Sequence, residues 1–221
     1  MNLVELLLDR EEKRSRTNRV YGVVSGIVTD NHDPEGRARV KINFPWLAEH
    51  AESDWAKVAS LMAGKDRGAC FLPEVGDEVL VAFEHGDIDH PYVLGALWNS
   101  DDPTPVPNSD GKNNIRKIKS RSGHELIFCD DDQGKQEKIE LHTKAGHKVL
   151  LDDSSGSEKI EVRDKSGANV VTIDSVAGQI GLESQMTIKI KSQQIEIEAG
   201  MGIKLTAGAV IEIQGALIKL N

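Results

Sequence analysis

Histidine, aspartate and cysteine are the residues of this 221-residue chain that could do chemistry, and their spacing decides which chemistry is open to them. His124 and His147 stand at matching places, each directly after a glycine and ahead of a strand-like run. On a three-fold axis either would become a ring of three imidazoles, able to hold a metal or an anion. The plainer reading of both is a structural histidine at a strand entry. Asp130, Asp131, Asp132 and the pair Asp152, Asp153 offer the oxygens calcium takes. They are followed by Gln133-Gly134 and Ser154-Ser155-Gly156, the composition of solvated turn tips. Serine, histidine and aspartate all occur, without a nucleophile-elbow sequence or a local triad signature. Cys70 and Cys129 lie far apart and outside any CxxC pair, so they read as free thiols of a reducing compartment. The expectation is a chain with no catalytic residues, no cofactor and no resident metal.

The elements that would carry these residues are strands. Only 38% of the residues are hydrophobic and 4% aromatic, while glycine is frequent and isoleucine crowds the C-terminal half. Short strands and turns suit that composition better than packed helices. The net charge of -9 argues against a nucleic-acid partner, since phosphate backbones need stripes of lysine and arginine. Met1 to Leu8 is apolar but short and runs into the charged stretch Asp9 to Arg16, which does not read as a secretory signal. Residues 1–19 read as a short helical arm, with Leu3, Leu6 and Leu7 on one face, and are expected to serve docking. No run approaches the length of a membrane span, so assembly in the cytoplasm is expected.

Residues 20–99 hold five strand candidates: Tyr21–Thr29, Arg37–Phe44, Trp55–Leu61, Glu78–Phe83 and Tyr92–Leu97. Turn signals separate them, and Arg37–Phe44 alternates polar and apolar residues as a half-buried strand does. Five short strands at this spacing fit a small closed barrel of the OB type. Residues 100–120, with Pro103, Pro105 and Pro107, read as an extended linker.

From residue 121 the sequence repeats. Three units about 22 residues long begin at Ser122, Ala145 and Ser166, and close on Ile139-Glu140-Leu141, Ile160-Glu161-Val162 and Ile180-Gly181-Leu182. The repeat then tightens to triplets seven or eight residues apart: Ile188-Lys189-Ile190, Ile195-Glu196-Ile197, Ile203-Lys204-Leu205, Ile211-Glu212-Ile213 and Ile218-Lys219-Leu220. A triplet of strand sends its outer residues to one face and its middle residue to the other. One chain of such short rungs has nothing to bury its apolar face against, and an open face of that kind invites aggregation. Three chains wound as a prism would bury it. The expected trimer core is Ile180, Leu182, Ile188, Ile190, Ile195, Ile197, Ile203, Leu205, Ile211, Ile213, Ile218 and Leu220. The middle residues Lys189, Glu196, Lys204, Glu212 and Lys219 alternate in sign, a ladder that would penalise a one-rung slip in register.

The ordered string Gly36-Arg37-Ala38-Arg39-Val40-Lys41-Ile42-Asn43-Phe44-Pro45-Trp46, Trp55-Ala56-Lys57-Val58-Ala59, Gly68 through Phe83 and Gly86 through Asn99 resembles the OB domain of the VgrG and phage baseplate assembly protein V family. Arg121-Ser122-Gly123-His124-Glu125-Leu126 resembles that family's entry into its spike. The resemblance implies an all-β chain with an OB collar above a trimeric, intertwined triple-stranded β-helix over residues 121–221. It implies a structural role: the central spike of a contractile injection machine, such as a phage tail, a tailocin or a secretion system, which pierces the target envelope and makes transient contact with its membrane. The fused hub domain of VgrG proteins and the lysozyme domain of some phage spikes are not in this sequence. A separate hub protein on the N-terminal side and a PAAR-type tip protein at the C-terminal end are therefore the expected partners. The competing readings are an OB binding or adhesion module with a repeat stalk, and a cell-wall hydrolase. The first lacks an aromatic stacking platform and the second lacks visible catalytic residues.

Overall fold

The computed structural model describes residues 19–47 and 52–219, and they form an all-β chain. Contacts divide it into two units. The first contains the barrel and, after it, strand β8 (Ile115–Lys119) and residues Leu126–Asp130, most of strand β9 (Glu125–Cys129). The second contains Ser122–Glu125 and the described residues from Asp131 onward.

Strands β1 (Val23–Asp30), β2 (Arg39–Asn43), β3 (Ala56–Val58), β6 (Glu78–Phe83) and β7 (Pro91–Ala96) close into a barrel in the order β1-β2-β3-β7-β6. The alternation in the sequence sets their inward faces. Val40 and Ile42 of β2 and Val79, Val81 and Phe83 of β6 point into the core, with polar or half-buried residues between them. Val28, Phe44, Ala56 and Val93 complete it. Phe44 packs its ring 5.5 Å from Phe83, centroid to centroid, at 56°, a tilted aromatic contact. Pairing is antiparallel except between β3 and β7, which run parallel. A small hairpin, β4 (Ala63–Gly64) with β5 (Arg67–Gly68), stands outside the barrel. Its two-residue strands show no alternation, so the sequence carries no signal for it.

A buried ion pair fixes the turn between β1 and β2. Asp33 takes the fork of Arg39, with Nε at 2.9 Å and Nη2 at 2.8 Å, and also accepts backbone N–H groups of Glu35 and Arg37. Ala38, between them, is held at φ 55°, a conformation a β-carbon disfavours. The Arg39 hydrogen bond holds the Asp33 carboxyl well below its ordinary range, against the opposing effect of burial. Asp33 therefore stays charged in the folded chain at pH values where the unfolded chain is protonated. Its contribution is complete above the ordinary carboxylate range and fades as pH falls below it. Asp33→Asn is expected to lower the barrel's melting temperature at neutral pH and to flatten the acid limb of its stability curve. Tryptophan fluorescence reads the barrel alone, because Trp46, Trp55 and Trp98 are the chain's three tryptophans. An unchanged acid limb would show that Asp33 is not the titrating group.

In the second unit, strands β10 (Lys138–His142), β11 (Lys148–Asp152), β12 (Lys159–Arg163), β13 (Val170–Asp174) and β14 (Gln179–Glu183) form a meander in which each pairs antiparallel with the next. The turns use glycine where the chain needs positive φ, as at Gly146 (φ 99°) between β10 and β11. From 184 to 219 the described chain is assigned no strand. Among the described residues the triplets expected to form rungs there have no ladder partner. Two further differences stand beside the expectation. The stretch expected as linker holds β8, and the expected helical arm falls on residues of which only Arg19 is described.

Candidate functional site: an uncovered apolar face

The register of the meander places its apolar residues in two unbroken rows on one face. Leu141, Val149, Val162, Val171 and Leu182 are successive cross-strand partners, and so are Ile139, Leu151, Ile160, Ile173 and Ile180. Cross-strand rows of this kind are the unit of sheet stabilisation. Among the described residues these rows stay open: Leu141 is 53% exposed, Leu182 57% and Ile180 73%. The expected core residues beyond them are equally open. Ile188, Ile190, Ile195, Ile197, Ile203, Leu205, Ile211, Ile213 and Ile218 are all classed as exposed, and Leu220 lies outside the described residues. Singly exposed aliphatic residues are ordinary; two adjacent cross-strand rows of them are an extended apolar face.

The opposite face is closed by charge. Glu140 and Glu161, the middle residues of the closing triplets of the first two repeats, are only 8% and 9% exposed. Lys138 at 3.2 Å, Lys148 at 3.1 Å and His142 at 2.7 Å surround Glu140, and Lys159 and Arg163 surround Glu161. The five cationic or imidazole heads stand within ion-pair distance of the two carboxylates. Burial pushes the Glu140 carboxyl up, but hydrogen bonds from Lys148 and Lys138 outweigh it and the net shift is downward. Lys138, Asp152, Lys159 and Asp174 are also successive cross-strand partners, so charge alternates along that row. The sequence reading missed this row because its members lie in different hairpins. The residues one position outside each triplet were the signal for it.

The expected ladder residues Lys189, Glu196, Lys204, Glu212 and Lys219 are exposed. Glu196 and Glu212 each accept a hydrogen bond from the side chain of a glutamine two residues away, Gln194 and Gln214. His124 and His147 play one local part in two successive repeats: their Nδ1 atoms accept the backbone N–H of Lys144 (3.3 Å) and Lys165 (3.2 Å). The aspartates form turns. Asp131 accepts the Gly134 N–H, Asp152 accepts the Ser154 N–H, and Asp130 pairs with Arg116. Among the described residues no group of three or more histidine, cysteine or acidic side chains is placed to hold a metal ion. Cys70 and Cys129 are both free thiols.

The barrel's outer face carries Trp55 below Lys41 and Arg39, and Tyr92 below Lys57. Arg39 is committed to Asp33 and Glu35, and Lys41 to Glu52 at 2.8 Å. Two of the three cations that would draw a polyanion are thus already neutralised. No helix among the described residues is long and apolar enough to cross a membrane.

Residues 24–98, the barrel, match the family described as the Type VI secretion system/phage-baseplate injector OB domain. Among curated relatives, the chain is 34% identical over 159 residues to the Type VI secretion system spike protein VgrG5 of Pseudomonas aeruginosa, covering 59% of this chain and 20% of that protein. It is 32% identical over 122 residues to the spike protein VgrG3 of Vibrio cholerae, covering 52% and 12%. It is 30% identical over 123 residues to the actin cross-linking toxin VgrG1, also of Vibrio cholerae, covering 52% and 11%. The chain spans a fifth or less of the length of these relatives.

Proposed function

The chain carries the injector OB domain of the secretion-system and phage-baseplate spike family, and from that premise we propose that it is a homotrimeric central spike of a contractile injection machine. The observation that carries this reading is the run of aliphatic side chains between Ile139 and Ile218 that stay exposed among the described residues. Covering an aliphatic side chain is worth about 1.5–3 kcal/mol, and ordering the chain opposes that gain. The chain lacks an internal ladder over 184–219, so a lone copy pays the ordering cost without the burial. Folding of that stretch and association are then one event. Three copies turn their apolar edges to a common axis, with residues 121–221 as the needle and 20–99 as the collar above it.

The role is mechanical. Contraction concentrates force on a narrow rigid point, and the point crosses the target envelope. Such a spike works with a hub protein on the N-terminal side and a PAAR-type tip protein on the C-terminal side, within a tail baseplate or an injection particle. We assign the chain a structural part: His124 and His147 hold hairpin entries, and Asp131 and Asp152 hold turns. Sedimentation or light scattering at micromolar concentration tests the reading. A species of three times the chain mass is expected, and a well-folded monomer would overturn it.

A further inference from the structure

Within the barrel unit, β3 and β7 run parallel, so the chain leaves both strands at the same end of the barrel. What leaves β3 builds a cleft of about 420 Å³, and what leaves β7 is a turn whose Trp98 and Asp102 stand at a second cleft that Lys117, Lys119 and Arg121 also line. The cleft has an apolar floor and rim that include Leu61, Met62 and Phe71, which are 98%, 53% and 72% exposed. Its charged lining is cationic throughout: Arg37 and Arg67. Arg37 has one exposed partner, Glu35 at 2.8 Å, and Arg67 lies over Gly64.

The turn after β7 has the complementary chemistry. Trp98 is 72% exposed. The Asn99 side chain accepts the backbone N–H groups of Asp101 and Asp102, at 2.9 and 2.8 Å, and Asn99 N–H returns to the Asp102 carbonyl. This closed turn holds two exposed aspartates, Asp101 and Asp102, three and four residues after Trp98. One domain therefore presents an apolar, cationic socket and an aromatic, anionic knob at one end, and the knob of the chain does not fill its own socket.

We infer that this end of the barrel is a collar interface between copies, in which Trp98, Asp101 and Asp102 of one copy seat against Leu61, Met62, Phe71 and Arg67 of the next. A socket and knob on different patches of one surface make a head-to-tail contact, which closes as a ring when the rotation between copies allows it. Tryptophan and arginine are the side chains that most often anchor such contacts. The inference rests on the trimer reading above and adds to it a second association surface, separate from the needle.

Cys70 lines the socket and is exposed, which gives the test a native handle. Ser100→Cys places a second thiol on the knob, in a Cys129→Ser background, and a short bis-maleimide joins the two. Linked species of two and three chains are expected on denaturing gels. Trp98→Ala or Arg67→Glu is expected to cut their yield about five-fold or more, and Asp102→Arg to restore part of the Arg67→Glu loss. A native trimer whose maleimide product stays at one chain mass would overturn the collar interface and leave the needle intact. So would yields indifferent to Trp98 and Arg67. A native monomer would overturn the trimer reading and this inference together.

Discussion

Ile197→Asp leaves the purified chain monomeric, or associating only at concentrations far above micromolar. Ile197 is 72% exposed in the single chain, so the substitution removes no contact from the lone copy. Its effect falls on association. In the proposed trimer its equivalents from three chains would meet near the axis, and three carboxylates would be buried side by side. Each loses about 1.5–3 kcal/mol of apolar burial. Each also carries the cost of placing a charge out of water without a partner, several kcal/mol per group. A total on the order of 10 kcal/mol per trimer follows, enough to move the association midpoint by many powers of ten. Lys204→Asp is the control: it alters the charge of a middle residue in the same stretch and is expected to leave the mass at three chains. Sedimentation velocity on both variants, with circular dichroism to confirm the barrel, decides the matter. A trimer of unchanged melting temperature from Ile197→Asp would remove the isoleucines from the axis.

The sequence shows the barrel where side-chain alternation and burial coincide. Arg37–Phe44 alternates polar and apolar residues and is trimmed only to Arg39–Asn43, while Glu78–Phe83 forms a strand over those same residues although only its burial alternates, its sequence being apolar throughout after Glu78. The hairpin of Ala63–Gly64 with Arg67–Gly68 was not legible, because strands of two small or charged residues have no period to read. The Asp33 clasp was not legible either. It depends on a side chain reaching backbone groups two and four residues on and a guanidinium six residues on, and the turn composition Asp33-Pro34-Glu35-Gly36 predicts a turn without predicting its lock.

The spike segment shows the opposite balance. The triplet pattern assigns residues to two faces, with charged middle residues outward and flanking aliphatics inward from Ile180 on. In the single chain Glu140 and Glu161 are the covered residues and Ile139, Leu141, Ile160 and Val162 are open. Long cationic side chains from adjacent positions can fold over a carboxylate within one sheet. Nothing within one sheet can fold over its own apolar face. Periodicity therefore identifies which residues share a face, while which face is covered depends on how many chains are present. The candidate socket on the barrel was invisible for a related reason: Leu61, Met62 and Phe71 belong to no periodic element, and their grouping with Arg67 is made by the hairpin.

Gly26→Ala is expected to destabilise the barrel by about 1–3 kcal/mol, the range for forcing an extra carbon into a packed core. Gly26 sits in β1, where a β-carbon would lie 2.4 Å from Ile42 Cγ2, 3.2 Å from the Asn43 carbonyl oxygen and 3.2 Å from Phe44 Cδ1. None of the three yields easily. Ile42 is fully buried and branched at its β-carbon, which leaves it little choice of rotamer, and Phe44 is only 3% exposed. The Asn43 oxygen belongs to the β2 backbone that pairs with β1. Removing glycine from the unfolded chain returns only about 0.4–1 kcal/mol, so the clash prevails. Gly95→Ala in β7 is the control, since its β-carbon would meet nothing within 4 Å, and it is expected to be neutral or mildly stabilising. Ile42→Leu keeps the volume but removes the branch that collides. The double variant Gly26→Ala with Ile42→Leu is therefore expected to be more stable than the sum of the two single losses, by more than about 0.5 kcal/mol. Denaturant titration followed by tryptophan fluorescence measures all four. Additive losses would place the cost of Gly26→Ala elsewhere than at Ile42, and a neutral Gly26→Ala would mean that β1 and β2 stand further apart at this point than the packing of Val28, Ile42 and Phe44 requires.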